Sequence, residues 1–348
     1  MHRRDLLTGA LCAATSLLLP LSAAKGRGFS GYVYTADEHG NSISAIDLST
    51  SRVTIVPVAI SPHNIQVSAD GARILAVGEP AKDGDHDHGA GDHADKADGR
   101  LLVFDPKRLR SGPIATVLVG KHPAHVVLDG AGKRAFVTLA GSDAVAVVDL
   151  ARGRVARRTR TGRYPHGLRI SPDGREIYVA NVEDGSVSVI DIASGIESVR
   201  IPVGRAPVQV GFTPDGARVY VSLRDENRIA AIDTASRAVI GRIPVGRGPI
   251  QVHSTPDGRF VYVANQGTDL EPADTVSVID VSTNSVVDTI RTGAGAHGVT
   301  VSSDGRFVFV TNIVESTVTA IDAGTRSVVA TFAVGKGPNG ISFRSSAA

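Results

Sequence analysis

The sequence predicts an all-β fold: a seven-bladed β-propeller with four-stranded blades, its ring closed by N- and C-terminal strands sharing one blade. Three observations lead there. A segment recurs seven times, most cleanly every 42 residues, with landmarks at Gly120, Gly162, Gly204 and Gly246. Each unit carries four β-like runs separated by turn residues. The last unit stops after its first run, near residue 344, and residues 32–58 supply the rest. One such unit cannot bury both its faces, so units at a period near 40 residues stack around an axis. Joining the two chain ends in one blade removes open sheet edges.

The elements follow in order. Residues 1–24 read as an export signal: Arg3 and Arg4, an apolar run from Ala10 to Leu21, then Ser22, Ala23 and Ala24 before Lys25. The run is too short to span a membrane. The Arg3–Arg4 pair followed by Leu6 and Leu7 resembles a twin-arginine signal, with a Sec signal as the alternative, and an export signal implies a periplasmic mature protein. Residues 25–348 form a single propeller. Five units span 121–162, 163–204, 205–246, 247–293 and 294–335, and the unit at 61–120 is lengthened by an insertion at 81–99. Asp-Gly pairs such as Asp173-Gly174 and Asp257-Gly258 supply hairpin turns. Alternating runs such as Val187–Ile190 are half-buried strands.

Composition narrows the chemistry. The only cysteine, Cys12, lies in the signal, and the only methionine is Met1. The mature chain thus has no disulfide, thiolate or thioether, which leaves histidine, carboxylates and carbonyls as metal ligands. Net charge is +2, of which Arg3, Arg4 and Asp5 contribute +1. A near-neutral mature chain is a poor general binder of nucleic acid. A monomer with no membrane span is expected.

The runs Tyr178–Asn181, Tyr262–Asn265 and Phe309–Asn312 resemble the YVTN-repeat family of propellers over essentially the whole mature chain. That resemblance implies the fold. It leaves activity open, because the family includes binding proteins, metal-handling proteins, maturation factors and propeller domains of redox enzymes.

Comparing the repeats separates scaffold from site. Asp47, Asp105, Asp149, Asp191, Asp233, Asp280 and Asp322 hold one slot in all seven units and read as turn-forming residues. The slot after the proline before the innermost strand varies: His63, Ala124, His166, Val208, Ile250, His297 and Asn339. One residue further on, His125 appears, with Gln209 and Gln251 in later units. This slot faces the mouth of the central channel, so His297, Asn339, His63, His125 and His166 form one arc. Imidazoles meeting there could hold Zn²⁺ or Cu²⁺, and the other reading is a structural or solvated histidine set belonging to the ordinary repeat. His122 is expected to be exposed, and His253, deeper on its strand, to be packed.

The insertion holds His86, His88 and His93 among six aspartates, a composition suited to metal capture. An acidic histidine tract on an exported propeller resembles the periplasmic zinc chaperones that pass zinc to the binding protein of a metal ABC importer. The resemblance implies that the loop recruits zinc and the channel histidines hold it, with release favoured in acid. Three alternatives remain. Lys121, Arg163, Arg205, Arg247 and Lys336 could form a basic rim for anions or single-stranded nucleic acid. A lactonase-type hydrolase could use the channel histidines, although no nucleophile elbow, cysteine nucleophile or phosphate loop is present. The propeller faces could also serve as a scaffold for protein partners with no small ligand.

Overall fold

A computed structural model describes residues 28–81 and 98–346. The expected signal at 1–24 and the loop histidines His86, His88 and His93 lie outside the described residues. The chain forms 28 strands, β1–β28 in chain order, in seven four-stranded antiparallel sheets. Each sheet is one blade.

Burial explains the strand patterns. The second strand of a blade is covered on both faces by neighbouring blades, so it reads as a continuous apolar run. Glu176–Asn181 is buried at every position but the first. The outermost strands alternate, because one face meets the next blade and the other meets water: Ile196–Pro202 runs exposed, half-buried, exposed, half-buried, exposed. The last residue of the second strand ties the blade together. Asn181 donates to Ser186 and Ser188 at 3.0 and 2.8 Å, and Asn312 donates to Thr317 and Thr319, both at 2.9 Å. In the closing blade Asp37 stands in this slot and accepts from Thr35, Ser42 and Ser44.

The closing blade has the order β28 (Pro338–Arg344), β1 (Tyr32–Asp37), β2 (Ser42–Asp47), β3 (Arg52–Pro57). The C-terminal strand is innermost, pairing Val33 with Phe343 and Thr35 with Ile341. The channel is lined by β28 and six further innermost strands: β4 (Ile60–Val67), β8 (Pro123–Leu128), β12 (Pro165–Ile170), β16 (Pro207–Phe212), β20 (Pro249–Ser254) and β24 (Ala296–Val301). Each shifts register just after its first residues, as between Pro165 and Leu168. Such a bulge re-aims side chains. It lets residues three apart, His166 and Arg169, serve opposite ends of the channel.

The seven repeated aspartates are turn residues. Asp191 accepts from Ser194 N at 2.7 Å, Asp233 from Ser236 N at 2.8 Å and Asp322 from Thr325 N at 2.9 Å. None of them takes part in the histidine cluster described below. Among the described residues no helix is long and apolar enough to cross a membrane.

Candidate metal centre at the channel mouth

Three neighbouring blades carry His63 on β4, His125 on β8 and His166 on β12. One ring nitrogen from each lies within 4.8 Å of the others. The His63 and His166 Nε2 atoms are 3.1 Å apart. Ring centroids are 5.1 Å apart for His63–His166 and 4.8 Å for His125–His166. His125 is fully buried, and the other two are half-buried.

The outer partners decide what the facing nitrogens can do. His166 Nδ1 lies 3.2 Å from Val208 O, a pure acceptor, so Nδ1 carries the proton and Nε2 a lone pair. His63 Nδ1 lies 3.1 Å from Glu38 Oε1, which imposes the same tautomer on the neutral ring. When both rings are neutral, two imidazole lone pairs point at each other across 3.1 Å. That contact is repulsive until a proton or a metal ion stands between them. The spacing is close to the ~3.4 Å edge of two nitrogens on one tetrahedral zinc. Hydrogen-bonded outer partners of this kind orient ligating histidines and raise their basicity.

Glycine permits the arrangement. A Cβ on Gly167, next to His166, would fall on the backbone of Val208 and the side chain of Gln209 in the next blade. The pairing of histidine with glycine at this slot thus has a packing cause as well as a chemical one.

Electrostatics divides the three rings. Burial, then the neighbouring imidazoles, hold His125 and His166 well below the ordinary histidine pKa, so both are neutral. Burial also opposes charge on His63, but the Glu38 carboxylate outweighs it and the pKa is raised. Burial alone would raise Glu38. The His63 charge and bonds from His63 and Asn339 bring it down to about 2.

His297 is not part of the cluster. It is buried, its Nδ1 has no partner, and burial followed by the His63 charge lowers it to about 4. The space on that side of His63 is taken by Glu38 and Asn339, whose Nδ2 donates to Glu38 Oε2 at 2.5 Å. Glu38 was missed by comparing slots along the inner strands. It sits in the short 3₁₀ turn Glu38–Gly40 after β1, and its proximity to β4 is purely tertiary.

Two other histidines depart from expectation. His122 is half-buried, not exposed. Its Nδ1 meets Glu79 Oε1 at 3.1 Å, and Tyr164 Oη lies 3.1 Å from its Nε2. His253 is half-buried at the far end of the channel and lines a cavity there. Two of the five rim cations are ion-paired and a third is bound to a backbone carbonyl. Arg163 pairs with Asp184 at 2.8 Å, Arg247 pairs with Glu271, and Arg205 donates to Asp225 O at 3.1 Å.

A propeller with a histidine-lined channel mouth is the class defined by these features. The chain belongs to the YNCE-like β-propeller family, whose model matches residues 113–347. No curated protein matches it. Solved structures that resemble it share the fold at low identity. Hydrazine synthase of Kuenenia stuttgartiensis has a TM-score of 0.68 at 20% identity, over 81% of this chain and 89% of that one. A periplasmic gluconolactonase of Pseudomonas aeruginosa has 0.71 at 18%, over 90% and 98%. A putative 6-phosphogluconolactonase of Bacteroides uniformis has 0.72 at 15%, over 90% and 99%.

Proposed function

We propose that the protein is a periplasmic carrier or metallochaperone for a divalent metal, with Zn²⁺ as cargo and Cu²⁺ as the other metal that imidazoles suit. The observation that carries this reading is the 3.1 Å approach of the His63 and His166 Nε2 atoms, with their Nδ1 atoms held by Glu38 and Val208. His125 supplies the third nitrogen. His86, His88 and His93 would collect the ion. Their loop leaves β5 (Ile74–Pro80) beside the start of β4, where Ile60 pairs with Pro80, and so departs near the mouth that holds His63. The protein would act as a monomer and hand its metal to the binding protein of an ABC importer. Residues 1–24 support export. The anion or nucleic-acid reading is weakened by the ion pairs that hold Arg163 and Arg247.

Metal retained by the purified mature protein tests the reading, measured by elemental analysis and by competition with a chromophoric chelator. Wild type should retain about one tightly held zinc, and a H63A/H125A/H166A variant should lose it. Deleting residues 82–98 should slow zinc capture and leave the tight site intact. E38Q should weaken binding by about 10–100-fold at pH 8, because it removes the partner that orients His63. It should also flatten the pH dependence, since Glu38 is what raises the His63 pKa and brings proton competition toward neutrality. Unchanged zinc content and affinity in the triple variant would sink the proposal.

A further inference from the structure

At the opposite end of the channel the innermost strands finish around a cavity of ≈ 280 Å³. Arg169 of β12 and His253 of β20 both line it. Arg169 donates to Leu168 O at 2.9 Å and, among the described residues, makes no ion pair. Burial alone lowers it to about 10, still well above neutrality, so the guanidinium is charged. The carboxylate in the cavity wall, Asp129, is already bound by Arg134 Nε at 2.9 Å and by two backbone amides. An arginine fork facing a cavity whose one carboxylate is bound elsewhere is matched by a planar anion.

His253 supplies a different function. Its Nδ1 lies 2.9 Å from Ser254 O, so Nδ1 carries the proton and Nε2 is left as an acceptor. Burial, then the Arg169 charge, lower the ring to about 4, which keeps it neutral. The rest of the wall is mixed: Val127, Ile170, Val299 and Ile341 give an aliphatic strip, and Gln66, Thr300 and Ser342 add polar groups. A cation, an acceptor and an aliphatic strip in a mixed wall together describe a ligand with a carboxylate, a hydroxyl and a short carbon body.

We infer that this far mouth binds a small organic hydroxycarboxylate, with Arg169 holding the carboxylate and His253 Nε2 accepting the hydroxyl hydrogen. Inorganic phosphate would engage Arg169 but leave the aliphatic strip of Val127, Ile170, Val299 and Ile341 uncovered. The cavity lies at the other end of the same strands from the metal centre, although the Arg169 charge reaches His125 and is one of the influences that lower its pKa. From His166 to Arg169 is about 10 Å of extended chain.

Isothermal titration of the full mature protein with lactate, propionate, lactamide and inorganic phosphate tests it. Lactate should bind saturably within about 50 mM. Propionate, which lacks only the hydroxyl, should bind about 3–10-fold more weakly. Lactamide and phosphate should bind no better than propionate. R169Q should abolish lactate binding while its thermal unfolding stays cooperative, and H253F should make lactate and propionate equal. No saturable lactate binding, equal binding of lactamide, or wild-type affinity in R169Q would each overturn the inference. The ligand panel on wild type decides the matter even if R169Q fails to fold. Zinc content, measured separately, keeps this result distinct from the metal reading.

Discussion

At the scale of single residues, Asp37 is the clearest departure from the repeat. Asn181, Asn265 and Asn312 fill its slot in other blades and donate to two hydroxyls each. Asp37 puts a carboxyl there, and burial raises its pKa from 3.8 to about 6 against the hydroxyl bonds that lower it. A folded pKa above the unfolded one has a definite sign. Protonated Asp37 favours the fold fully below about pH 3.8, and that contribution is lost as pH rises through about 6. Above that the native state carries a buried charge costing up to about 3 kcal/mol. D37N should therefore be more stable than wild type by about 1–3 kcal/mol at pH 8, with the gap closing below about pH 5. Urea unfolding across pH 4–8 measures it. A gap that is constant with pH would show that Asp37 does not titrate in this window. Glu38, one residue on, behaves oppositely, because His63 and Asn339 stabilise its charge.

At the scale of elements, the slot before the innermost strand is left-handed in six blades. It holds His122, Tyr164, Ala206, Gly248, Gly295 and Gly337, with φ between 48° and 75°. Glycine takes this conformation without strain, whereas other residues lose about 1–2 kcal/mol there. His122 and Tyr164 recover part of this by bonding each other, and His122 also bonds Glu79. Ala206, at φ 48°, has only a methyl to offer. A206G should raise stability by about 0.5–1 kcal/mol at every pH, read from denaturant midpoints. A loss instead would mean that the Ala206 methyl packs well enough to outweigh its backbone strain. Asp-Gly turns in the sequence were a sound guide at this scale. Gly174, Gly216 and Gly258 all lie at φ near 70°, as hairpins of this kind require.

At the scale of the whole molecule, stability depends on closing the ring. Phe29 packs on Phe307 with centroids 4.3 Å apart, and Phe343 of β28 stacks on Phe309 at 6.0 Å. These contacts fasten the two chain ends to the preceding blade. Removing residues 338–348 would strip the innermost strand from the closing blade and expose the edge of β1, an invitation to aggregation. The truncated protein should unfold at lower temperature, without a single cooperative transition, and should associate in size-exclusion chromatography. It should also lose part of the site, since Asn339 holds Glu38. A truncated chain that stays monomeric and cooperative would show that the seventh blade does not need its C-terminal strand.

The fold was legible in the chain because a propeller blade is a local unit. Its strands, turns and aspartate slots recur within about 40 residues, so hydrophobic period and turn chemistry reveal them without knowledge of distant contacts. The convergence of His63, His125 and His166 could be anticipated for the same reason, since equivalent slots in adjacent blades must meet at the axis. Glu38, the displacement of His297 and the Arg169–His253 cavity were not accessible that way. They depend on which side chains from different blades come within hydrogen-bond distance, how deeply each is buried and where a strand bulge re-aims its neighbours. Those quantities exist only once the ring has closed.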